Sequence, residues 1–101
     1  MNHYTNKEGF NAIRAVSPWC FRATRQRIRS KRRAAYFTTL LPSDANFVRR
    51  VRLPRKKREY RFAFVDIGDL SPIAGPGGKY VFYSPGDYYV NSPRQLYHGV
   101  A

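Results

Sequence analysis

The sequence predicts a small α+β chain: N-terminal basic helices and an extension, then a short antiparallel β-hairpin or three-stranded element, with non-globular parts ordered by partners. Three observations lead there. Residues 22–33 hold seven cations and no acid, residues 49–58 hold seven more, and both lie on segments whose apolar residues recur at helical spacing. Tyr60, Phe62 and Phe64 alternate with Arg61, Ala63 and Val65, the period of two that marks a strand. Ser84-Pro85-Gly86-Asp87 carries Pro second and Gly third, the chemistry of a type II turn.

The elements follow in order. Thr5-Asn6-Lys7-Glu8 reads as a capping box, with Thr5 as N-cap and Glu8 at N3, opening a short helix that carries Phe10, Ile13 and Val16 on one face. Ser17-Pro18 ends it and starts a second helix, expected over residues 19–37, whose apolar stripe of Cys20, Thr24, Ile28 and Ala35 is narrow. A helix polar around most of its circumference needs a partner to hold it. After the break at Leu40-Leu41-Pro42, residues 43–46 offer a new N-cap, and Phe47, Val48 and Val51 give one or two turns before Pro54. Residues 55–58 are expected to be an extended basic linker. Residues 60–65 are a strand, 66–78 a Gly/Pro loop, 79–83 a second strand, 88–90 a third that closes the hairpin, and the last ten residues an extended tail. The segments are therefore 1–58 (basic, RNA-contacting), 59–91 (aromatic β element) and 92–101 (tail).

Composition bounds the function. The chain has 101 residues and a formal net charge of +13, and nearly all of that charge is in its first 61 residues. Long aliphatic side chains are few (four Ile, five Leu, seven Val), so a core of ordinary size is expected to need burial against a larger partner. One cysteine, Cys20, permits no internal disulfide and no Cys-based zinc site. No apolar run approaches the about 20 residues of a membrane span. Residues 9–43 contain no acid and mix Arg, Ser, Thr and Ala, the composition of a mitochondrial presequence. The segment is expected to be retained, either as an uncleaved import signal or simply as a basic binding segment.

The cations point to a polyanion. The candidate RNA-binding residues are Arg22, Arg25, Arg27, Arg29, Lys31, Arg32 and Arg33 in the first run, and Arg49, Arg50, Arg52, Arg55, Lys56, Lys57 and Arg58 in the second. Such densities repel themselves unless an anion lies against them. Arginine outnumbers lysine 14 to 5, and its planar fork suits phosphate and unpaired bases. Arg55-Lys56-Lys57-Arg58 also has the look of a nuclear localisation signal. Tyr60, Phe62, Phe64, Tyr80, Phe82 and Tyr88 are the candidate protein-docking residues, docking on a neighbour or filling a small core, with a base-stacking RNA platform as the competing reading. Residues 60–65 are similar to the RNP1 pattern of RRM domains, but its glycines are missing and no βαββαβ order follows. Gly75-Pro76-Gly77-Gly78-Lys79 fails as a P-loop, because Tyr80 stands where Ser or Thr is needed. His3 and His98 have no ligand-like spacing, and Asp66 and Asp69 read as turn residues. No nucleophile–base pair, carboxylate pair, metal set or cofactor motif stands out, so no enzyme is expected.

With its two basic runs, acid-free segment and aromatic tail, the chain resembles the small Arg-rich accessory proteins of ribosomes, in particular mitochondrial ones. The resemblance implies a structural constituent that binds ribosomal RNA and neighbouring ribosomal proteins, in the mitochondrial matrix or alternatively the cytoplasm. A second expectation is an accessory subunit of an organellar membrane complex (a respiratory complex or ATP synthase) facing acidic subunits or anionic lipid. A third is a nuclear or viral DNA-packaging protein.

Overall fold

Eight short strands and two α-helices make up the described part of the fold, a computed structural model that describes residues 1–24 and 33–101. The elements are β1 (Asn2–Thr5), α1 (Lys7–Arg14), β2 (Trp19–Phe21), β3 (Ala35–Thr38), α2 (Phe47–Val51), β4 (Tyr60–Phe64), β5 (Ser71–Pro72), β6 (Val81–Ser84), β7 (Tyr88–Val90) and β8 (Gln95–Val100). Six strands form one antiparallel sheet in the order β5-β6-β3-β1-β4-β8, and β2 pairs with β7 in a separate ribbon. This overturns the expected basic helices followed by a hairpin. The boundary expected after residue 58 is also no boundary, because β1 and β3 interleave with β4, β6 and β8 in one sheet.

The largest difference is at the N-terminus. Asn2-His3-Tyr4-Thr5 has no apolar alternation, yet it is a central strand and all four residues are buried. Long-range bonds satisfy its polar groups. Asn2 Nδ2 donates to the Thr38 carbonyl at 3.2 Å and the Tyr4 hydroxyl to the Leu40 carbonyl at 2.8 Å. His3 Nδ1 bonds the Tyr36 carbonyl at 2.9 Å. Since Thr5 belongs to β1, the α1 cap moves one residue on: the Asn6 side chain accepts from the Gly9 amide at 2.8 Å. Phe10 and Ile13 are buried as the spacing predicts, whereas Val16 is exposed.

The described parts of residues 19–37 hold β2 and β3 rather than a helix. Trp19, Phe21, Ala35 and Phe37 alternate inward, and burying these rings outweighs helix propensity in a segment whose apolar stripe is so narrow. Residues 55–58 form a 3-10 turn rather than an extended linker. The last ten residues are not a free tail: β8 pairs with β4 along the sheet edge. β7 is a strand as expected, but it pairs with β2. Gly86 does not take the positive φ of a type II turn, so β6 and β7 do not close a hairpin and the chain crosses into the ribbon.

Each face of the sheet has its own cover. On the front face, α1 and the β2–β7 ribbon enclose a core in which Phe21, Phe37, Phe62 and Phe64 are almost wholly excluded from solvent. Aromatic rings supply what the scarce aliphatics do not: Trp19 meets Phe62 edge-on at 4.9 Å between centroids, and Phe37 meets Phe64 at 5.4 Å. The Cα radius of gyration, 12.4 Å, matches the roughly 13 Å of a self-contained 100-residue domain, so the expected dependence on a partner for the core is corrected. On the back face, α2 packs Phe47 and Val51 against Tyr4 and Leu40.

Candidate nucleic-acid interface

The back face carries α2, where the second basic run begins. Arg49, Arg50 and Arg52 lie on α2 or directly after it, and the chain then continues through the cationic 3-10 turn Arg55–Arg58, which packs against β1. Arg52 takes a left-handed conformation (φ 55°) that ends α2, and its Nε donates to the Arg49 carbonyl at 3.3 Å. Arg49 Nη2 donates to Asn46 Oδ1 at 3.1 Å, and the Arg50 guanidinium sits 5.7 Å from the centre of the Tyr80 ring. Among the described residues none of these seven cations is paired with a carboxylate. The Nε atoms of Arg50 and Arg58 are buried without a hydrogen-bond partner. Buried donors of this kind call for an acceptor.

Directly paired residues share a face, so register gives the floor beneath these cations. One row runs Tyr83, Tyr36, Tyr4, Arg61 and Gly99 across β6, β3, β1, β4 and β8. Tyr4 is covered by Phe47, whose ring lies 4.9 Å away edge-on, and burial pushes its hydroxyl up to about 12, so the phenol stays a donor. Tyr36 and Tyr83 are half-buried on one side of α2. Arg61 donates to Asn2 Oδ1 at 2.9 Å and lies 4.6 Å from the centre of the Tyr97 ring. Between α2 and the sheet is a small gap of about 20 Å³, room for about one water, lined by Asn2, Tyr4, Tyr36, Thr38, Leu53 and Val81 among others.

The first run is only partly placed. Arg22 and Arg33 are exposed beside the Thr24–Ala34 bridge, while Arg25, Arg27, Arg29, Lys31 and Arg32 lie outside the described residues. Of the docking candidates, Phe62, Phe64 and Tyr88 face the front core and offer no surface. Tyr60 and Phe82 pack against that core and Tyr80 against the α2 cluster, all partly buried. Tyr80 thus shares the back face with Tyr36, Tyr83 and Tyr97, three rings outside the docking set. Their signal was alternation within Ala35-Tyr36-Phe37-Thr38 and Tyr97-His98-Gly99-Val100, masked in one case by flanking arginines and in the other by its position near the chain end.

His3 is the other residue sequence reasoning passed over. It lies on the front side of β1 against Phe21 and Phe37 (centroids 4.8 and 5.6 Å), and burial depresses its pKa to about 4 despite the bond to Tyr36. At the far end of the core Asp69, Tyr88 and Arg94 form a clamp. The Tyr88 hydroxyl donates to Asp69 at 2.6 Å and accepts from Arg94 at 2.7 Å, and Arg94 also donates twice to the Val65 carbonyl. Asp66 bonds the Gly68 amide, an Asx turn. Among the described residues no helix is long and apolar enough to cross a membrane, and no three metal-binding side chains gather.

No protein-family model, characterised protein or solved structure matches this chain.

Proposed function

We propose that the protein binds RNA on its back face, as a structural constituent of a ribonucleoprotein particle, with the ribosome, and the mitochondrial ribosome first, as the assembly its composition favours. The observation that carries this reading is the second basic run: seven cations on α2 and the turn after it, with no carboxylate partner among the described residues. The arginines contact phosphates, and the exposed Tyr97 on the same face offers its ring to an unpaired base. A salt titration of binding to single-stranded RNA tests it. If all seven cations contact phosphate, log affinity falls against log salt with a slope near about −5. No RNA affinity, with retention on cardiolipin vesicles, overturns it.

A further inference from the structure

The two arginine runs are separated by 15 residues, 34–48, which invites treating them as two contacts. The topology argues otherwise. β3 and β4 both pair antiparallel with β1, so they run in the same direction and begin at the same end of the sheet. Carrying the Asn2–Thr38 pairing along β1 sets Ala35 opposite Thr5, and Thr5 on its other side pairs with Tyr60. Ala35 and Tyr60 therefore flank Thr5 two strand spacings apart, about 10 Å. The first run enters the sheet at Ala35 and the second at Tyr60. The Thr24–Ala34 bridge, with the Thr24 amide 3.0 Å from the Ala34 carbonyl, brings Arg22 to the same end as Arg33.

We propose that Arg22, Arg33 and the cations of Arg55–Arg58 act as one anion-binding site at this end of the sheet, taking a single polyphosphate-like ligand that bridges both runs. Three carboxylates share the end: Glu8 at the start of α1, Glu59, and Asp87 beyond β6. Asp87 is occupied by the Ala23 amide at 2.8 Å, and among the described residues none of the six cations is paired with an acid. Arg58 Nε is buried without a hydrogen-bond partner, a donor left lacking an acceptor. The two strand starts, about 10 Å apart, lie near one screening length of each other, so the cations that lead into them repel one another in the free protein and can share one anion. The proposal rests on the RNA reading only for its natural ligand, a bent phosphate backbone.

Calorimetric titration of the full chain with inorganic tripolyphosphate tests it through stoichiometry. One equivalent is expected, and it is weakened about tenfold both by Arg22→Gln with Arg33→Gln and by Lys56→Gln with Lys57→Gln. All four side chains are exposed, so circular dichroism is expected to show each variant folded. Two equivalents, with each variant removing one and sparing the other, overturn the shared site. So does an effect of only one variant, or no heat from tripolyphosphate at low salt. Single-stranded RNA titrated in parallel separates the two readings. RNA binding with independent runs overturns the shared site and leaves the RNA reading standing, whereas one tripolyphosphate site without RNA affinity does the reverse.

Discussion

Acidification from pH 7 to 5 should destabilise this fold through one residue, His3. The folded state holds its imidazole neutral, with a pKa of about 4, against 6.5 in the unfolded chain. Above pH 6.5 both states are neutral there and the residue contributes no pH dependence. Between pH 6.5 and 4 the unfolded chain takes up a proton that the folded chain refuses, so stability falls as pH falls, by about 1.4 kcal/mol per unit, and below 4 it levels off. The loss comes to about 2 kcal/mol at pH 5 and about 3 at pH 4, a large part of the 5–15 kcal/mol typical of a domain. Urea unfolding followed by fluorescence of the buried Trp19 measures it, and with a typical urea slope the midpoint should drop by about 1 M between pH 7 and 5. His3→Phe, whose ring suits the pocket formed by Phe21 and Phe37, should be nearly flat over the same interval. If wild type and His3→Phe lose stability in parallel, His3 is not the buried neutral group described, and the placement of β1 at the centre of the sheet is in question.

Other outcomes follow from the same contacts. Phe62→Ala removes a fully buried ring touching Phe10, Trp19 and Phe21, and should cost about 3–5 kcal/mol in chemical denaturation. Asn6→Ala deletes the α1 cap and should cost about 1 kcal/mol by the same assay. Gly75→Ala forces an alanine into φ 84°, ψ −166°, a region open only to glycine, and should lower stability by about 1–3 kcal/mol although nothing crowds the added methyl. Arg49→Gln, Lys56→Gln and Lys57→Gln combined should lessen the salt slope of RNA binding by about 2 and leave the urea midpoint nearly unchanged.

Local signals in the chain were legible where one element decides its own fate. Tyr60–Phe64 alternates cleanly and is a strand, Phe10 and Ile13 lie one helical turn apart and are buried together, and the short helix at Phe47–Val51 sits where the break at Pro42 and the cap at Asn46 place it. What escaped depends on pairing across the chain. β1 reads as polar because its core position rests on bonds to Thr38, Tyr36 and Leu40, more than thirty residues away. β8 has Gly99 and an irregular register against β4, and only the neighbouring strand defines it. Arginine density around β3 simulated an amphipathic helix whose sparse stripe belongs to a strand with Ala35 and Phe37 inward. The candidate site shared this fate. Its cations were evident from composition, but which tyrosines accompany them is a matter of register: of the rings chosen, Phe62, Phe64 and Tyr88 belong to the core and Tyr80 alone lies with α2.

The central claim is that the back face, with α2 and the turn after it, is where the nucleic acid lies. Amide and side-chain NMR shifts of the full chain titrated with a short single-stranded RNA address it most directly. Perturbations are expected at Arg49 to Arg58, Tyr36, Tyr83 and Arg61, and at Arg22 and Arg33 where one strand bridges both runs, with α1 and the Trp19–Val90 end of the β2–β7 ribbon silent. Shifts concentrated on α1 and that ribbon, or none at RNA concentrations up to the millimolar range typical of weak binding, would contradict it.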